Sequence, residues 1–288
     1  MKTIIVPTDF SECAKNALKA ASDIARKSDA EIHLIHVYEK PVWGFAEANV
    51  DLIKNRKLHD QIEEELHKTA MLPFMKGLQV VKHIFTDLKI REALDHKKLM
   101  DADLIVMGSH GINGWREFFI GSNTEKIVRF AEPPVLVIKE WYDNFEIKNM
   151  VFASNFSSEV DTMFRKIENL ASVFSAKIHL LKVITPRTFE PSYQSIDKMK
   201  DFVRKFYLTE FSINTYNDET VEDGILNFSR QTEADLIAME THGRTGFAHL
   251  INGSITEDLV NHIPLPVLSV KMKYVAERER HGIVFPVK

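Results

Sequence analysis

The sequence predicts an α/β protein made of two tandem, doubly wound domains, and three observations lead there. Short apolar runs suited to buried strands alternate with amphipathic helical stretches. A ten-residue motif that includes one such strand occurs twice, at a constant spacing. In each copy that strand leads through a glycine-containing loop into a helix start, which is the βα geometry of a parallel sheet.

In the first copy, Thr3 to Pro7 reads as a strand and Glu12 to Lys27 as a helix, with Ala17, Leu18, Ala21, Ile24 and Ala25 as its apolar face. Ile32 to Val37 is the next strand, followed by a long charged helix from about Val50 to Met71. Gln79 to Phe85 is a third strand and Ile90 to Leu99 a helix. Leu104 to Met107, a glycine-rich loop, a helix from Ser122 and a last strand from Val135 to Ile138 complete the unit. Ligands of such sheets bind at the carboxyl ends of the strands, at the topological switch point. The loops after the first and fourth strands, carrying Asp9 and Gly108 to Gly121, meet there.

The second copy is visible in the residues themselves. Ala102 to Gly111 returns as Ala234 to Gly243 with seven of ten positions identical, at an offset of 132. Gly121-Ser122 recurs as Gly253-Ser254, and Pro134-Val135-Leu136 as Pro266-Val267-Leu268. Near the front, Ile5 to Ser11 corresponds to Val151 to Ser157 at an offset of 146, so the second copy is shorter by 14 residues. A period this long is tandem duplication, since solenoids and propellers repeat far more often. The expected units are 1–139 and 148–271, with a tail over 272–288. Glu140 to Lys148 reads as a short polar linker.

Composition narrows the function classes. The chain has 288 residues, 44% hydrophobic and 27% charged, ordinary values for globular domains. A net charge of -4 argues against a broad nucleic-acid surface. The single cysteine, Cys13, excludes an intrachain disulfide framework and suits a reducing compartment. There is neither a signal-peptide pattern nor an apolar stretch of membrane-spanning length. The expectation is a cytoplasmic protein with no membrane and no nucleic-acid partner.

The loop from Gly108 carries the chemistry. Four glycines, Gly108, Gly111, Gly114 and Gly121, separate the apolar run ending in Met107 from the helix start at Ser122-Asn123. Glycine lets a backbone approach phosphate oxygens, and a helix start offers unpaired N–H groups with partial positive charge. The same residues also suit turns, and Ser122-x-x-Glu125 is a capping box in its own right. The spacing Gly108-x-x-Gly111, nine residues, Gly121-Ser122 resembles the signature of ATP-binding universal stress proteins. Pro7-x-Asp9 after strand one and His36-Val37 at the end of strand two extend the resemblance over nearly the whole chain. It implies a Rossmann-like, five-stranded parallel sheet per domain, of the adenine nucleotide alpha hydrolase type. It further implies adenine near Val37, ribose near Asp9, and phosphates on the glycine loop. The nucleotide-binding set is then Pro7, Thr8, Asp9, Val37, Met107, Gly108, Gly111, Gly121, Ser122 and Asn123, with ATP as ligand and Mg2+ or Mn2+ as its counter-ion.

Individual residues are open to plainer roles. Asp9 can close a turn with Ser11, although its pairing with Pro7 and the downstream loop favours a ligand. The side chain of Val37 belongs to a core, so an adenine contact would be through its backbone. His33 and His36 sit on opposite faces of a strand and cannot share a metal. His110 and His242 have no second ligand at metal spacing, so no protein metal site is expected.

The copies have diverged in different places. The first has Ile112-Asn113 where the family often has Arg-Thr, which weakens its phosphate clamp. The second retains Arg244-Thr245 but has Ala153 for the proline, Asn155 for the aspartate and Glu240 for the first glycine. Asn155, Glu240, Gly243, Gly253 and Ser254 therefore form a degenerate second site. The leading expectation is a stress-response module that binds ATP in the first copy, with the last strands of the two copies paired as an intramolecular pseudo-dimer and the further pairing of such chains as a homodimer left open. A slow nucleotide hydrolase or transferase is the alternative, weakened by the lack of a nucleophile beside a general base. A nucleotide-free scaffold is the other.

Overall fold

The computed structural model describes residues 1–41, 48–96, 99, 101–109, 122–156, 160–206, 208–241 and 264–271, with backbone only at 48–51, 122, 162 and 241. Strand β1 is Thr3–Pro7, helix α1 Glu12–Ser28, β2 Glu31–Tyr38, α2 Ala48–Ala70 and β3 Val80–Thr86. They are followed by α3 Ile90–Leu94, β4 Leu104–Gly108, α4 Ser122–Phe130 and β5 Val135–Ile138. The remaining elements are β6 Asn149–Ala153, α5 Val160–Phe174, β7 Lys177–Ile184, α6 Ser192–Arg204, β8 Phe211–Asn217, α7 Val221–Gln231, β9 Leu236–Thr241 and β10 Val267–Lys271.

The strands form one ten-stranded sheet in the order β3-β2-β1-β4-β5-β10-β9-β6-β7-β8. Every neighbouring pair is parallel except β5 and β10, which run antiparallel with Val137 opposite Val267 and Val135 opposite Ser269. The inner strands β1, β4 and β5 read as continuous apolar runs because both faces are covered, whereas the edge strands β3 and β8 carry polar residues. Ile4 and Val6 enter one core with α1, α2, α5 and α6, whereas Ile5 enters another with α4 and α7. Each core runs through both halves of the sheet. Among the described residues no helix is long and apolar enough to cross a membrane.

Local signals explain several boundaries. The Ser11 hydroxyl accepts from the Ala14 N–H and caps α1, which closes on Asp29 in the left-handed region at φ 54°. Helix α3 stops at Leu94, short of the expected Leu99, because the chain tightens: the His96 N–H bonds back three residues to Ala93 and that of Leu99 to His96. Asp95 at the boundary is a residue that competes for backbone hydrogen bonds and favours helix ends.

The segment from Glu140 to Lys148 is more than a polar linker. Phe145 is 1% exposed and Ile147 fully buried. Phe145 meets Tyr142 and Phe174 edge-to-face, and its N–H donates to Asp23 on α1. The halves are also tied near the end of α4. Lys271 on β10 donates to the Phe130 carbonyl and pairs with Glu132 at 2.6 Å, while Lys166 on α5 donates to the Glu132 carbonyl.

Candidate functional site

The sheet order places β1 beside β4, and they lead to elements on opposite sides of that seam. This is the switch point, and the residues leaving both strands converge on it. Pro7 is the last residue of β1 and lies opposite Ile35, while β2 continues through His36 and Val37 to Tyr38. Beyond Pro7, Thr8 still donates its N–H to the Ile35 carbonyl at 2.8 Å, and its hydroxyl accepts from the Phe10 N–H. Asp9 accepts from the Ser11 N–H at 3.0 Å, so it does make the local turn. Phe10 sits between them at φ 65°, a conformation that costs an L-residue about 1–2 kcal/mol.

This strained turn lays Phe10 against the end of β2. Its ring stacks on His36 at 4.5 Å, His36 stacks on Tyr38 at 6.2 Å, and the Tyr38 hydroxyl reaches His59 of α2 at 3.2 Å. The His36 Nδ1–H donates to the Thr8 carbonyl at 2.8 Å. Burial lowers the His36 pKa below its ordinary 6.5, against the opposing pull of that bond and of Asp9. The imidazole is therefore neutral at physiological pH, with Nε2 as an acceptor. Sequence reasoning missed this aromatic group. His36 and Tyr38 share one strand face by parity, and Phe10 follows the turn, so the signal was present but read residue by residue.

The other wall of the switch point is β4 and α4. Met107 is buried and Gly108 ends the strand. The Ser109 N–H bonds the Ile138 carbonyl, and buried Thr124 donates its hydroxyl to the Gly108 carbonyl at 3.0 Å. The first turn of α4, with exposed Asn123, is thereby fixed to the carboxyl end of β4. Gly108 has a further role that the sequence does not disclose: an added Cβ would stand 2.6 Å from the Cys13 carbonyl oxygen. The start of α1 occupies that space. Gly111 and Gly121 lie outside the described residues, as does the side chain of Ser122.

The second half repeats the backbone and changes the chemistry. Ser154 donates its N–H to the Leu181 carbonyl and accepts from the Phe156 N–H, as Thr8 does with Ile35 and Phe10. Phe156 has φ 55°. Its ring, however, turns inward to Phe152 and Phe202 and is 8% exposed, against 36% for Phe10. Lys182 replaces His36 and Asn155 replaces Asp9. Glu240, the counterpart of Gly108, accepts from the Ser154 hydroxyl at 3.4 Å. Gly243, Gly253 and Ser254 lie outside the described residues, as do His110, His242 and Arg244. Among the described residues no group of three or more His, Cys, Asp or Glu side chains could hold a metal ion.

Comparison with known proteins gives a match to the universal stress protein family over residues 1–139 and 212–271. The chain belongs to that family. Universal stress protein MJ0531 of Methanocaldococcus jannaschii is 33% identical over 141 residues, covering 48% of this chain and 82% of the relative. Universal stress protein Slr1230 of Synechocystis sp. is 20% identical but spans 94% of this chain and all of its own length. Among solved structures, a universal stress protein from Archaeoglobus fulgidus covers 93% of this chain and 98% of that one with a TM-score of 0.69 and 18% identity, a shared fold. The Rossmann-like α/β fold implied by the motifs is therefore the fold of this universal stress protein's relatives, and the sheet order gives it the doubly wound form.

Proposed function

We propose that the unit 1–139 of this universal stress protein binds ATP with a divalent cation and that the chain works as a nucleotide-responsive regulatory module. One observation carries the reading: Thr124 holds the first turn of α4 at the end of β4, beside the Asp9 turn that ends β1. Helix starts and glycine loops accept phosphates because their N–H groups are unpaired. Asp9 supplies a carboxylate suited to ribose hydroxyls, and Pro7 and Thr8 fix where it emerges. The backbone of Val37 lies past the last β1 partner of β2, at the rim where a base would be received. Met107, Gly108, Gly111, Gly121, Ser122 and Asn123 make up the phosphate side, and Mg2+ or Mn2+ would be held chiefly by the phosphates. The antiparallel β5–β10 seam supports treating 1–139 and 148–271 as two units in an internal pseudo-dimer.

Isothermal titration of the full chain with ATP and Mg2+ tests the reading. One ATP per chain is expected. Gly111→Val, which puts a branched side chain where phosphate oxygens need backbone, should weaken binding by about a hundredfold, and Asp9→Ala by about tenfold. Unchanged affinity in both variants overturns the assignment.

A further inference from the structure

We propose that the second half binds a small aromatic monocarboxylate in the cleft at the carboxyl ends of β6 and β7, with Lys182 as its anion-binding group. The cleft has a volume of about 410 Å3, within the range of small-molecule sites. Lys182 projects from the end of β7 into its wall. Burial is the main influence on this ammonium and lowers its pKa; Glu190 opposes that, Lys198 adds to it and Glu240 opposes it. Among the described residues the Lys182 ammonium makes no hydrogen bond or ion pair, whereas that of Lys198 in the same cleft is bonded to Glu190. A partly desolvated ammonium without an acceptor is costly, and a ligand carboxylate would supply the missing partner.

The remaining walls select the rest of the molecule. Lys182 and Lys198 line the cleft with Glu190, and Glu240 acts on Lys182 from outside the lining, so the charges are close to balanced before a ligand arrives. A single negative charge fits that balance; a triphosphate meets two carboxylates. Phe156 provides an apolar floor, and Phe189 stands at the mouth with 78% of its surface exposed. An unpacked aromatic beside a cleft is a surface for a flat apolar body. Thr188 and Asn155, also in the lining, can orient the second carboxylate oxygen. In the first half the position of Lys182 is held by neutral His36, so one replacement changes the charge that the rim prefers.

The test is titration of the full chain with 1-naphthoate, followed by calorimetry or ligand-observed NMR, against the neutral isostere 1-naphthamide. One naphthoate per chain is expected, with the amide at least about tenfold weaker. Lys182→Met should lose at least about tenfold, Lys182→Arg should stay within a few-fold of the parent, and Glu190→Gln should bind more tightly. The arginine variant separates loss of charge from loss of fold. Equal binding of acid and amide, undiminished binding by Lys182→Met, or no saturable binding of naphthoate overturns the proposal.

Discussion

The two rims of the sheet share a backbone and differ in what it presents. After β1 and after β6 the chain makes the same turn, with a hydroxyl accepting from an N–H two residues on and a phenylalanine forced to positive φ. The strain is preserved in both halves, so it belongs to the turn and not to one ligand. In the first half the phenylalanine lies out on a neutral histidine, and a glycine lets α1 close onto β4. In the second it is drawn into the core, a lysine stands at the histidine position, and a glutamate replaces the glycine. The two halves keep one backbone frame and differ in the side chains it presents.

The harshest way to break this comparison is to move the glutamate across. Gly108→Glu must displace the Cys13 backbone, so unfolding free energy should fall by about 3 kcal/mol, read by urea denaturation. A loss below about 1 kcal/mol would mean that α1 yields easily and that the glycine is not required for packing. The reverse graft comes next. Glu240 acting on a phosphate about 5 Å away, at an effective dielectric of about 20, repels it by roughly 3 kcal/mol. Glu240→Gly with Asn155→Asp should therefore raise ATP stoichiometry from one toward two per chain, measured by calorimetry. Two ATP bound by the unaltered chain would contradict the contrast directly; no gain in the double variant would show that the second loop has lost its shape as well as its charge.

The smallest effect concerns His36. Its folded pKa is depressed by burial, so its contribution to stability is present above the unfolded value of 6.5 and is lost as pH falls through the lower folded value. NMR titration should place its midpoint below 6.5, and Phe10→Ala, by admitting water, should move it back upward. A midpoint above 6.5 would show that the Thr8 hydrogen bond and Asp9 together outweigh burial at this rim.

Much of the fold could be read from local pattern. Strands β1 and β5 have the bounds expected from their apolar runs, because a strand buried on both faces leaves no alternation to misread. What escaped depended on distant partners. Phe145 and Ile147 alternate with Glu146 and Lys148, so the window reads as polar until Phe174 and Asp23 arrive to cover it. The packing role of Gly108 lies in a contact with Cys13, far away in sequence. The aromatic group at His36 joins three elements, and no single window contains it. The loop glycines were legible as a motif because their spacing is itself the signal, whereas the cleft around Lys182 has no motif and emerges only when β6, β7 and α6 are assembled.

Helix α4 has a mechanical consequence. At one end Thr124 holds it to the carbonyl that closes β4. At the other, the Phe130 carbonyl is gripped by Lys271 from the opposite half of the sheet. Nine residues of helix span about 13 Å and do not shorten under small loads. The element is a strut between the halves: any displacement of its first turn along the helix axis would be passed to Lys271 on β10. Because β5 and β10 run in opposite directions, the Lys271 grip lies at the carboxyl end of β10, opposite Thr241 of β9, on the rim side of the second half.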